Sequence, residues 1–254
     1  MAEAMQILSE QFRPVPVRLG SSLWSKIAFA ARRFVDLQLD TIWTFLEPRL
    51  SGLRGRLLDV GCGEMPYRTG IGADVHYTGI DVPQAGAFAM RPNNNIVPFD
   101  GVAIPFPEGS FDTILCTEVL EHAASPTVLI GEIKRVLKPG GTLLATVPFS
   151  ARVHYAPYDV HRFTKYALTE MFAGFEAVTI EERGNDLAVI ANKLIVVAMR
   201  MIRPSRWSLV HWPLLAFILP VAAVFLLVAH IALAFDLGSK DDPLGYSIVA
   251  IKAP

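Results

Sequence analysis

Leu57-Leu58-Asp59-Val60-Gly61-Cys62-Gly63 is the stretch around which this chain is organised. Its apolar residues run directly into a turn that has glycine at alternate positions. Because glycine adopts backbone conformations that other residues avoid, a strand that ends in such a turn can bring its backbone close to a bound molecule. The stretch therefore predicts a buried strand followed by a ligand-binding loop.

Further short apolar stretches alternate with helices or loops along the chain. They cover residues 56–61, 75–81, 96–100, 111–116, 142–147, 177–183 and 246–251. Ser125 and Pro126 predict the start of a helix that runs to Leu137, after which Lys138-Pro139-Gly140-Gly141 predicts a turn. The simplest arrangement of these segments joins successive parallel strands by crossover connections, so we predict an α/β fold.

Length, charge and cysteine content narrow the functional classes. A chain of 254 residues suffices for one domain with a large core. The formal net charge of -1 and the pI near 6.6 give no general attraction to phosphate polymers, so nucleic acid is not an expected partner. Cys62 and Cys116 lie in apolar surroundings rather than in spaced pairs, which favours free thiols. We expect no secretion signal in residues 1–20.

Ligands of open parallel sheets bind beyond the carboxyl ends of the strands. This edge, here called the rim, is predicted to hold Gly61, Gly63, Asp81, Asp100 and Thr117. A carboxylate at Asp81 can accept hydrogen bonds from both hydroxyls of a ribose, although an aspartate that ends a strand is as often a turn residue. Asp59 is expected to order the glycine loop through its backbone amides. Pro66 occupies the place of the third glycine of a dinucleotide-binding loop, which argues against NAD.

Five motifs in order carry a resemblance to a known family. They are Leu57 to Gly63, Tyr77-Thr78-Gly79-Ile80-Asp81, a D-x-x-x-x-P-F-x-x-x-S-F-D segment from Asp100 to Asp112, Glu118-Val119-Leu120-Glu121-His122, and Val136 to Gly141. In this order and spacing, the chain resembles the class I S-adenosylmethionine-dependent methyltransferases of the type 11 group. The resemblance implies a Rossmann-like sheet of seven mostly parallel strands, with Gly245 to Lys252 as the antiparallel last strand.

The same resemblance implies S-adenosyl-L-methionine as the cofactor. Its implied contacts are Asp59, Gly61 and Gly63 for the methionine end, Asp81 for the ribose, Asp100 and Gly101 for the adenine, and Thr117 and Glu118 for the sulfonium.

Methyl transfer requires in-line placement of the reactants and, for a hydroxyl acceptor, removal of a proton. The candidate catalytic residues are therefore His122, His154 and His161. We interpret His122 as a structural residue beneath the rim, whereas the other two lie in a polar, aromatic loop that is placed to shape an acceptor pocket. Glu118, Glu121 and His122 resemble the E-x-x-E-H arrangement of metal-dependent methyltransferases. The same letters occur in metal-free relatives, so the sequence assigns no metal.

The tract from Leu187 to Phe235 is the main source of the mean hydropathy of +0.38. It contains no Asp or Glu, and its formal charges are Lys193, Arg200, Arg203 and Arg206. Residues 213–235 are long enough to span a bilayer. If the flanking strands share one sheet, a single crossing is excluded, because the chain must return to the side that it left. A helical hairpin, interfacial helices and a buried or dimer-forming insertion remain as alternatives.

The sequence thus predicts an N-terminal helical cap (1–50), a methyltransferase core (51–186), an apolar helical insertion associated with a membrane (187–240) and a closing strand (241–254). Residues 1–20 are expected to be a loose leader. Ser22 to Pro48 predicts a helix that packs on the sheet, covers the active site or faces a membrane.

The expected enzyme lies at the cytoplasmic face of a membrane, as a peripheral or monotopic protein. Its expected acceptor is a small or lipid-linked molecule. The expected reaction is O-methylation of a lipid, a lipid-linked glycan or a quinone-type precursor. The alternative is a membrane-tethered cofactor-binding module without transfer activity.

Overall fold

The computed structural model describes Gly20, residues 22–83, Asn93 and residues 95–202 and 208–254. Most of the predicted leader, together with Arg203 and Arg206 of the apolar tract, lies outside these residues. The elements in chain order are α1 (Leu23–Val35), α2 (Leu37–Leu50), β1 (Arg56–Val60), β2 (His76–Asp81), β3 (Ile96–Pro98), β4 (Phe111–Thr117), α3 (Pro126–Val136), β5 (Leu137–Pro148), α4 (Lys165–Met171), β6 (Ala177–Arg183), α5 (Asp186–Ile202), α6 (Ser208–Phe235) and β7 (Gly245–Ile251). Short 3₁₀ turns cover Arg68–Gly70 and Leu120–His122.

The strands form one seven-stranded sheet in the order β3-β2-β1-β4-β5-β7-β6. Strands β1 to β5 pair in parallel, whereas β7 runs antiparallel between β5 and β6. The predicted fold class is therefore confirmed, including the antiparallel last strand. Because β1 lies between β2 and β4, the residues that follow these three strands are neighbours on the rim.

The strand β1 is apolar on both faces because helices cover both sides of the sheet. Leu57 and Leu58 are both fully buried. Successive side chains of a strand point to opposite faces. Accordingly, Leu57 packs in a cluster with Leu46 of α2, and Leu58 packs in a second cluster with Ile133 of α3. An uninterrupted apolar run is thus the expected pattern for this central strand.

The helix predicted over Ser22 to Pro48 is interrupted at Asp36, which divides it into two helices. The Asp36 N–H donates to the carbonyl oxygen of Arg32 at 2.8 Å, and the Asp36 carboxylate accepts from the N–H of Leu39 at 3.2 Å. One aspartate thus ends α1 and caps α2, so a single continuous helix was the wrong prediction. Helix α2 is buried against the sheet, whereas α1 has no buried residue.

The turn predicted at Lys138-Pro139-Gly140-Gly141 is a bulge within β5 rather than a break before it. Strand β5 begins at Leu137, which already pairs with β4, and regular pairing resumes at Thr142. Gly140 has a positive φ of 70°, and its N–H donates to the carbonyl oxygen of Lys252 at 3.0 Å. The turn prediction was wrong because residues after β7 satisfy backbone groups that a free turn would leave to solvent.

Helices α5 and α6 pack against each other as a hairpin between β6 and β7. Small residues are buried on both helices: Ala188, Ala191 and Ala198 on α5, and Ala222, Ala229 and Ala232 on α6. Side chains of this size allow two helices to approach closely. Because β6 and β7 pair in one sheet, both ends of the hairpin return to that sheet, which excludes a single membrane crossing.

His230 is a polar residue within the apolar tract, and it joins the hairpin to α1. Its Nε2 atom lies 2.8 Å from the carbonyl oxygen of Phe34, and the two rings stack with 4.6 Å between their centroids. Carbonyl groups in the last turn of a helix have no partner within the helix. The contact therefore anchors the end of α1 and gives His230 a structural role.

Candidate active site

The glycine loop after β1 is held by Asp81, which ends β2. Gly61 and Gly63 have positive φ angles of 66° and 51°. The Asp81 carboxylate accepts from the N–H of Gly63 at 2.8 Å and from the N–H of Val82 at 2.7 Å. The expectation that Asp59 orders this loop through its amides was wrong, because a residue of the neighbouring strand makes that contact.

Two glycines of the motifs are required by space. A Cβ atom at Gly61 would lie 2.4 Å from Cγ2 of Val119, and one at Gly79 would lie 2.7 Å from Sγ of Cys62. Both distances are shorter than any van der Waals contact. At Gly61, the absence of a side chain leaves the backbone of the rim accessible to a ligand. At Gly79, it leaves room for the glycine loop to pack against β2.

Asp59 lies beneath the loop and is 1% exposed. One carboxylate oxygen accepts from the hydroxyl of Tyr77 at 2.5 Å, and the other has no hydrogen-bond partner among the described residues. Burial raises the pKa of Asp59 to about 7; the Tyr77 hydrogen bond opposes this shift, and the Asp81 charge adds to it. An unpaired buried carboxylate oxygen beside the loop suits a cationic group of a ligand.

Asp100 and Gly101 follow β3, which ends at Pro98, two residues before the predicted end. The Oδ1 atom of Asp100 accepts from the N–H groups of Ala103 and Val102, both at 2.8 Å, and these bonds lower the pKa of this exposed carboxyl. Gly101 has a positive φ of 83°. The turn thus presents an ionised carboxylate at the outer part of the rim.

Thr117 and Glu118 follow one another at the end of β4. Thr117 lies beside the buried Tyr67. Glu118 has a positive φ of 53°, which costs a non-glycine residue about 1 kcal/mol or more. Its Oε1 atom lies 2.8 Å from Nη2 of Arg183. The strained backbone and the ion pair together fix the Glu118 carboxylate on the rim.

Arg183, the last residue of β6, belongs to this site although none of the sequence motifs includes it. Its guanidinium is 3% exposed and donates to the carbonyl oxygens of Tyr246 and Val147, at 3.3 and 3.2 Å, and to the Thr41 hydroxyl at 3.1 Å. A buried cation requires a counter-charge, which Glu118 supplies. The one signal in the sequence was a charged residue at the end of a predicted strand.

The three residues of the E-x-x-E-H motif do not form one cluster. Glu118 faces Arg183, whereas Glu121 and His122 lie in the following 3₁₀ turn. Oε1 of Glu121 lies 3.6 Å from Nε2 of His122 and 3.9 Å from Nε2 of His154. The structure therefore groups Glu121 and His122 with His154 and leaves Glu118 outside.

The three candidate histidines have different surroundings. Nδ1 of His122 lies 3.2 Å from the Tyr158 carbonyl oxygen, and burial lowers the pKa of His122 to about 4. The His161 ring stacks on Phe163, and its Nε2 atom is buried without a hydrogen-bond partner among the described residues. His154 lines a cavity beside the rim, and neither of the other two does. Only His154 is therefore in position to meet a molecule in that cavity.

This cavity, here called the acceptor cavity, has a volume of about 600 Å³. Three parts of the chain meet around it, namely α1, the loop after β5 and α5. Its walls are mostly apolar and include Ala31, Val35, Ile195, Val196 and Met199, whereas Glu118 and His154 are among its polar residues. A space of this size and character suits a small apolar molecule or the reactive end of a longer one.

Comparisons with known proteins agree with the geometry. The sequence profile of a family described as "Methyltransferase domain" matches residues 58–145. An uncharacterized methyltransferase of Mycobacterium leprae is 31% identical over 196 residues, which cover 70% of this chain and 64% of the relative. A fatty-acid O-methyltransferase of Mycolicibacterium smegmatis is 34% identical over 143 residues, which cover 52% and 51%. The chain thus spans less than two thirds of the length of these relatives.

Among solved structures, that of the 4+2 cyclase SpnF has a TM-score of 0.53 and 23% sequence identity, and the match covers 85% of this chain and 82% of SpnF. At this level of identity the likeness concerns the fold alone.

Proposed function

The chain belongs to the class I S-adenosylmethionine-dependent methyltransferases, and on this premise we propose that it methylates a hydroxyl group of an apolar acceptor beside a membrane. The observation that carries the proposal is the position of Glu118, which belongs both to the rim and to the wall of the acceptor cavity. A methyl donor on the rim and an acceptor in the cavity would therefore meet at this residue.

The rim residues fit S-adenosyl-L-methionine. The backbone at Gly61 carries no side chain, so a ligand can approach it closely. The exposed carboxylate of Asp100 can accept hydrogen bonds from polar groups of the cofactor, and the unpaired oxygen of Asp59 can contact its cationic group. Glycine loops of this kind and strand-ending carboxylates are the elements that bind such ligands at the rim of an open sheet. When bound, the cofactor supplies an electrophilic methyl group on a sulfonium.

The residues of the chain then have to place the acceptor and remove its proton. Apolar side chains of α1 and α5 exclude water from one side of the acceptor cavity. Asp159 lies 3.1 Å from Nδ1 of His154 and fixes the orientation of that ring. We therefore assign proton removal to His154, and His122 and His161 to supporting positions.

Transfer is tested with tritiated S-adenosylmethionine, the full chain and a lipid extract. We expect the label to enter the organic phase and to resist alkaline hydrolysis, because methylation of a hydroxyl gives an ether, whereas release of labelled methanol would show a carboxylate acceptor instead. If the chain binds S-adenosylhomocysteine but transfers no label, the alternative of a cofactor-binding module is supported instead. Binding of NADH in place of S-adenosylhomocysteine would overturn the family assignment itself.

We expect cofactor binding to release a proton from Asp59. With its pKa at about 7, this carboxyl is half protonated in the free protein at neutral pH, whereas a cationic group bound beside it favours the ionised form. Affinity should therefore rise between about pH 5 and 7 and become constant at higher pH. Calorimetry in buffers of different ionisation enthalpy should show release of about half a proton at pH 7. Asp59→Asn should remove this release; an unchanged release in that variant contradicts the assignment.

The α5–α6 hairpin supports the membrane part of the proposal. Helix α6 has 28 residues, and its most apolar 18-residue window has a mean hydropathy of 2.7 and is only 17% buried. Leu209 and Phe217 on α6 are 88% and 70% exposed, and Trp24 on α1 is 80% exposed. Large apolar side chains exposed to this extent are typical of a surface that contacts a membrane or another protein.

The lengths of the two helices favour an interfacial placement over a double span. Helix α5 has 17 residues and α6 has 28, so their lengths are about 25 and 42 Å at 1.5 Å per residue. The shorter helix carries Lys193 and Arg200 on its exposed surface. A short, partly basic helix suits the headgroup region, where anionic lipids attract such residues. We therefore propose that residues 187–240 hold the protein on the cytoplasmic face as a peripheral or monotopic unit.

Charged substitutions on α6 test this placement. We expect Phe217→Asp together with Leu209→Asp to weaken sedimentation with anionic vesicles at least about 10-fold, since each large apolar side chain that enters the interface contributes about 1.5–3 kcal/mol. Val128→Asp is the matched control, because Val128 is 48% exposed on α3, which contributes no residue to the hairpin. Equal sedimentation of all three proteins, or absence of the intact chain from the vesicle pellet, contradicts the membrane proposal.

A further inference from the structure

We propose that Glu121, His122 and His154 bind one divalent ion of a first-row transition metal beside the acceptor cavity. The three side chains come from two separate segments, the 3₁₀ turn after β4 and the loop after β5. One ligand-type atom from each lies within 4.8 Å of the other two. No other group of three such side chains meets this criterion among the residues that the structure describes.

The distances are close to those of a metal site. With metal–ligand bonds of about 2.1 Å, the ligand atoms of a tetrahedral site lie about 3.4 Å apart. Oε1 of Glu121 lies 3.6 Å from Nε2 of His122 and 3.9 Å from Nε2 of His154. All three ligand atoms lie within 4.8 Å of one another, so side-chain shifts of about 1 Å would bring them onto a common ion.

Both imidazoles are oriented as metal ligands are. Nδ1 of His122 lies 3.2 Å from the carbonyl oxygen of Tyr158. Nδ1 of His154 lies 3.1 Å from Asp159 and 3.2 Å from the carbonyl oxygen of Arg152. Such acceptors hold the proton on Nδ1 and leave the Nε2 lone pair free, which is the usual support of a metal-binding histidine. The two free lone pairs are those closest to Glu121.

Glu121 is the independent sign that a cation belongs here. Its side chain is fully buried, and neither carboxylate oxygen has a hydrogen-bond donor among the described residues. The guanidinium of Arg162, whose charge acts on Glu121, donates to Asp159 at 2.7 Å and not to Glu121. The backbone carbonyl of Glu121 accepts from the N–H groups of Val160 and His161, so the residue is fixed in place. A buried carboxylate without a donor is costly, and a bound cation removes that cost.

The ligand chemistry selects the class of ion. Two imidazole nitrogens with one carboxylate suit zinc, manganese, iron and cobalt, whereas magnesium and calcium prefer oxygen ligands. The set differs from the E-x-x-E-H expectation, because Glu118 is paired with Arg183 and His154 takes its place. Three protein ligands also leave coordination positions open, as in catalytic sites.

The ion would have a role in transfer, and this part rests on the proposed function. His154 lines the acceptor cavity, so an acceptor hydroxyl can reach an open coordination position. Such an ion would supply a positive charge that lowers the pKa of an acceptor hydroxyl, so that its proton could pass to solvent. With its Nε2 lone pair on the ion, His154 would act as a ligand, and the charge of the ion would promote loss of the hydroxyl proton in place of the base role assigned above to the metal-free imidazole.

Metal binding itself is the test, and it requires no methyl transfer. The full chain is freed of metal with a chelator and titrated with Co²⁺, whose visible absorption reports nitrogen and oxygen ligands, and with Zn²⁺ in a calorimeter. We expect one equivalent of either ion to bind, with His122→Ala and His154→Ala each weakening binding by more than about 100-fold, beyond the loss caused by a supporting residue. His76→Ala, which removes an exposed histidine outside the cluster, and Glu118→Gln should retain the Co²⁺ spectrum.

The far-ultraviolet circular dichroism spectrum and the unfolding midpoint in urea of each variant show whether the fold is intact. Absence of Co²⁺ and Zn²⁺ binding by the parent protein overturns the proposal, and so does binding that survives His154→Ala or is lost in Glu118→Gln. Failure of methyl transfer with metal binding intact would instead concern the proposed function and leave the metal site standing.

Discussion

Replacing Asp81 by alanine is expected to lower the affinity for S-adenosylhomocysteine by at least about 100-fold, since each hydrogen bond to a charged group contributes about 1.5–3 kcal/mol. The Asp81 carboxylate orders the glycine loop through the N–H groups of Gly63 and Val82, and it is the residue proposed to hold the ribose. The substitution therefore removes the proposed contact with the ribose, and it also loosens the glycine loop that is proposed to bind the methionine end of the cofactor. Isothermal titration calorimetry measures the change directly.

Two variants make this experiment specific. Asp74→Ala removes an exposed carboxylate from the connection that precedes β2 and should leave affinity unchanged. Asp81→Asn keeps one carbonyl acceptor and should fall between the parent protein and Asp81→Ala. An affinity within about 3-fold of the parent for Asp81→Ala, less than 1 kcal/mol, would show that the ribose is held elsewhere.

Replacing Arg183 by methionine is expected to lower the free energy of unfolding by about 3–5 kcal/mol, because it leaves Glu118 without its buried counter-charge. The guanidinium also joins β6 to β5, β7 and α2 through Val147, Tyr246 and Thr41. Unfolding in urea, followed by circular dichroism, measures the loss. We also expect weaker methyl transfer, since the Glu118 carboxylate is no longer fixed beside the acceptor cavity.

Lys165→Met is the matched control for this prediction. Lys165 on α4 forms a 2.8 Å ion pair with Glu182, the residue that precedes Arg183 on β6. The side chain of Lys165 is 45% exposed. Such a surface pair contributes about 0–1 kcal/mol. Adding Glu118→Gln to Arg183→Met should recover part of the stability, because the unpaired charge is then removed. Equal free energies of unfolding for Arg183→Met and Lys165→Met would show that the buried ion pair of Arg183 does not stabilise the fold more than a surface pair does.

Much of the fold could be predicted because its signals are local. The apolar run at Leu57 and Leu58, the glycines after it and the strand-ending Asp81 lie within short segments, and each segment forms much the same element in any chain. The order of these segments, matched to a known family, then predicted the antiparallel closing strand. Local signals misled where a distant contact changes their meaning, as at Asp36, which caps two helices, and at Gly140, whose N–H is bound by Lys252.

The sequence predicted His154 and Glu118 as site residues, but it could not predict Arg183 or the contacts on the acceptor side, because long-range packing decides them. Arg183 and Glu118 are far apart in the sequence and meet only when β6 pairs beyond β7 in the finished sheet. The Glu118 carboxylate pairs with Arg183, whereas Glu121 lies beside His154, which comes from a different segment. No pattern of residue types encodes these side-chain directions.

By itself, then, the sequence determined the class of fold, the rim and the family, since strand, turn and glycine signals act over a few residues. Only the tertiary structure decided that α1, α5 and the loop after β5 enclose one cavity, and that Glu121, His122 and His154 share one site. Those arrangements depend on how separate elements pack, which is fixed by contacts between residues that the sequence leaves far apart.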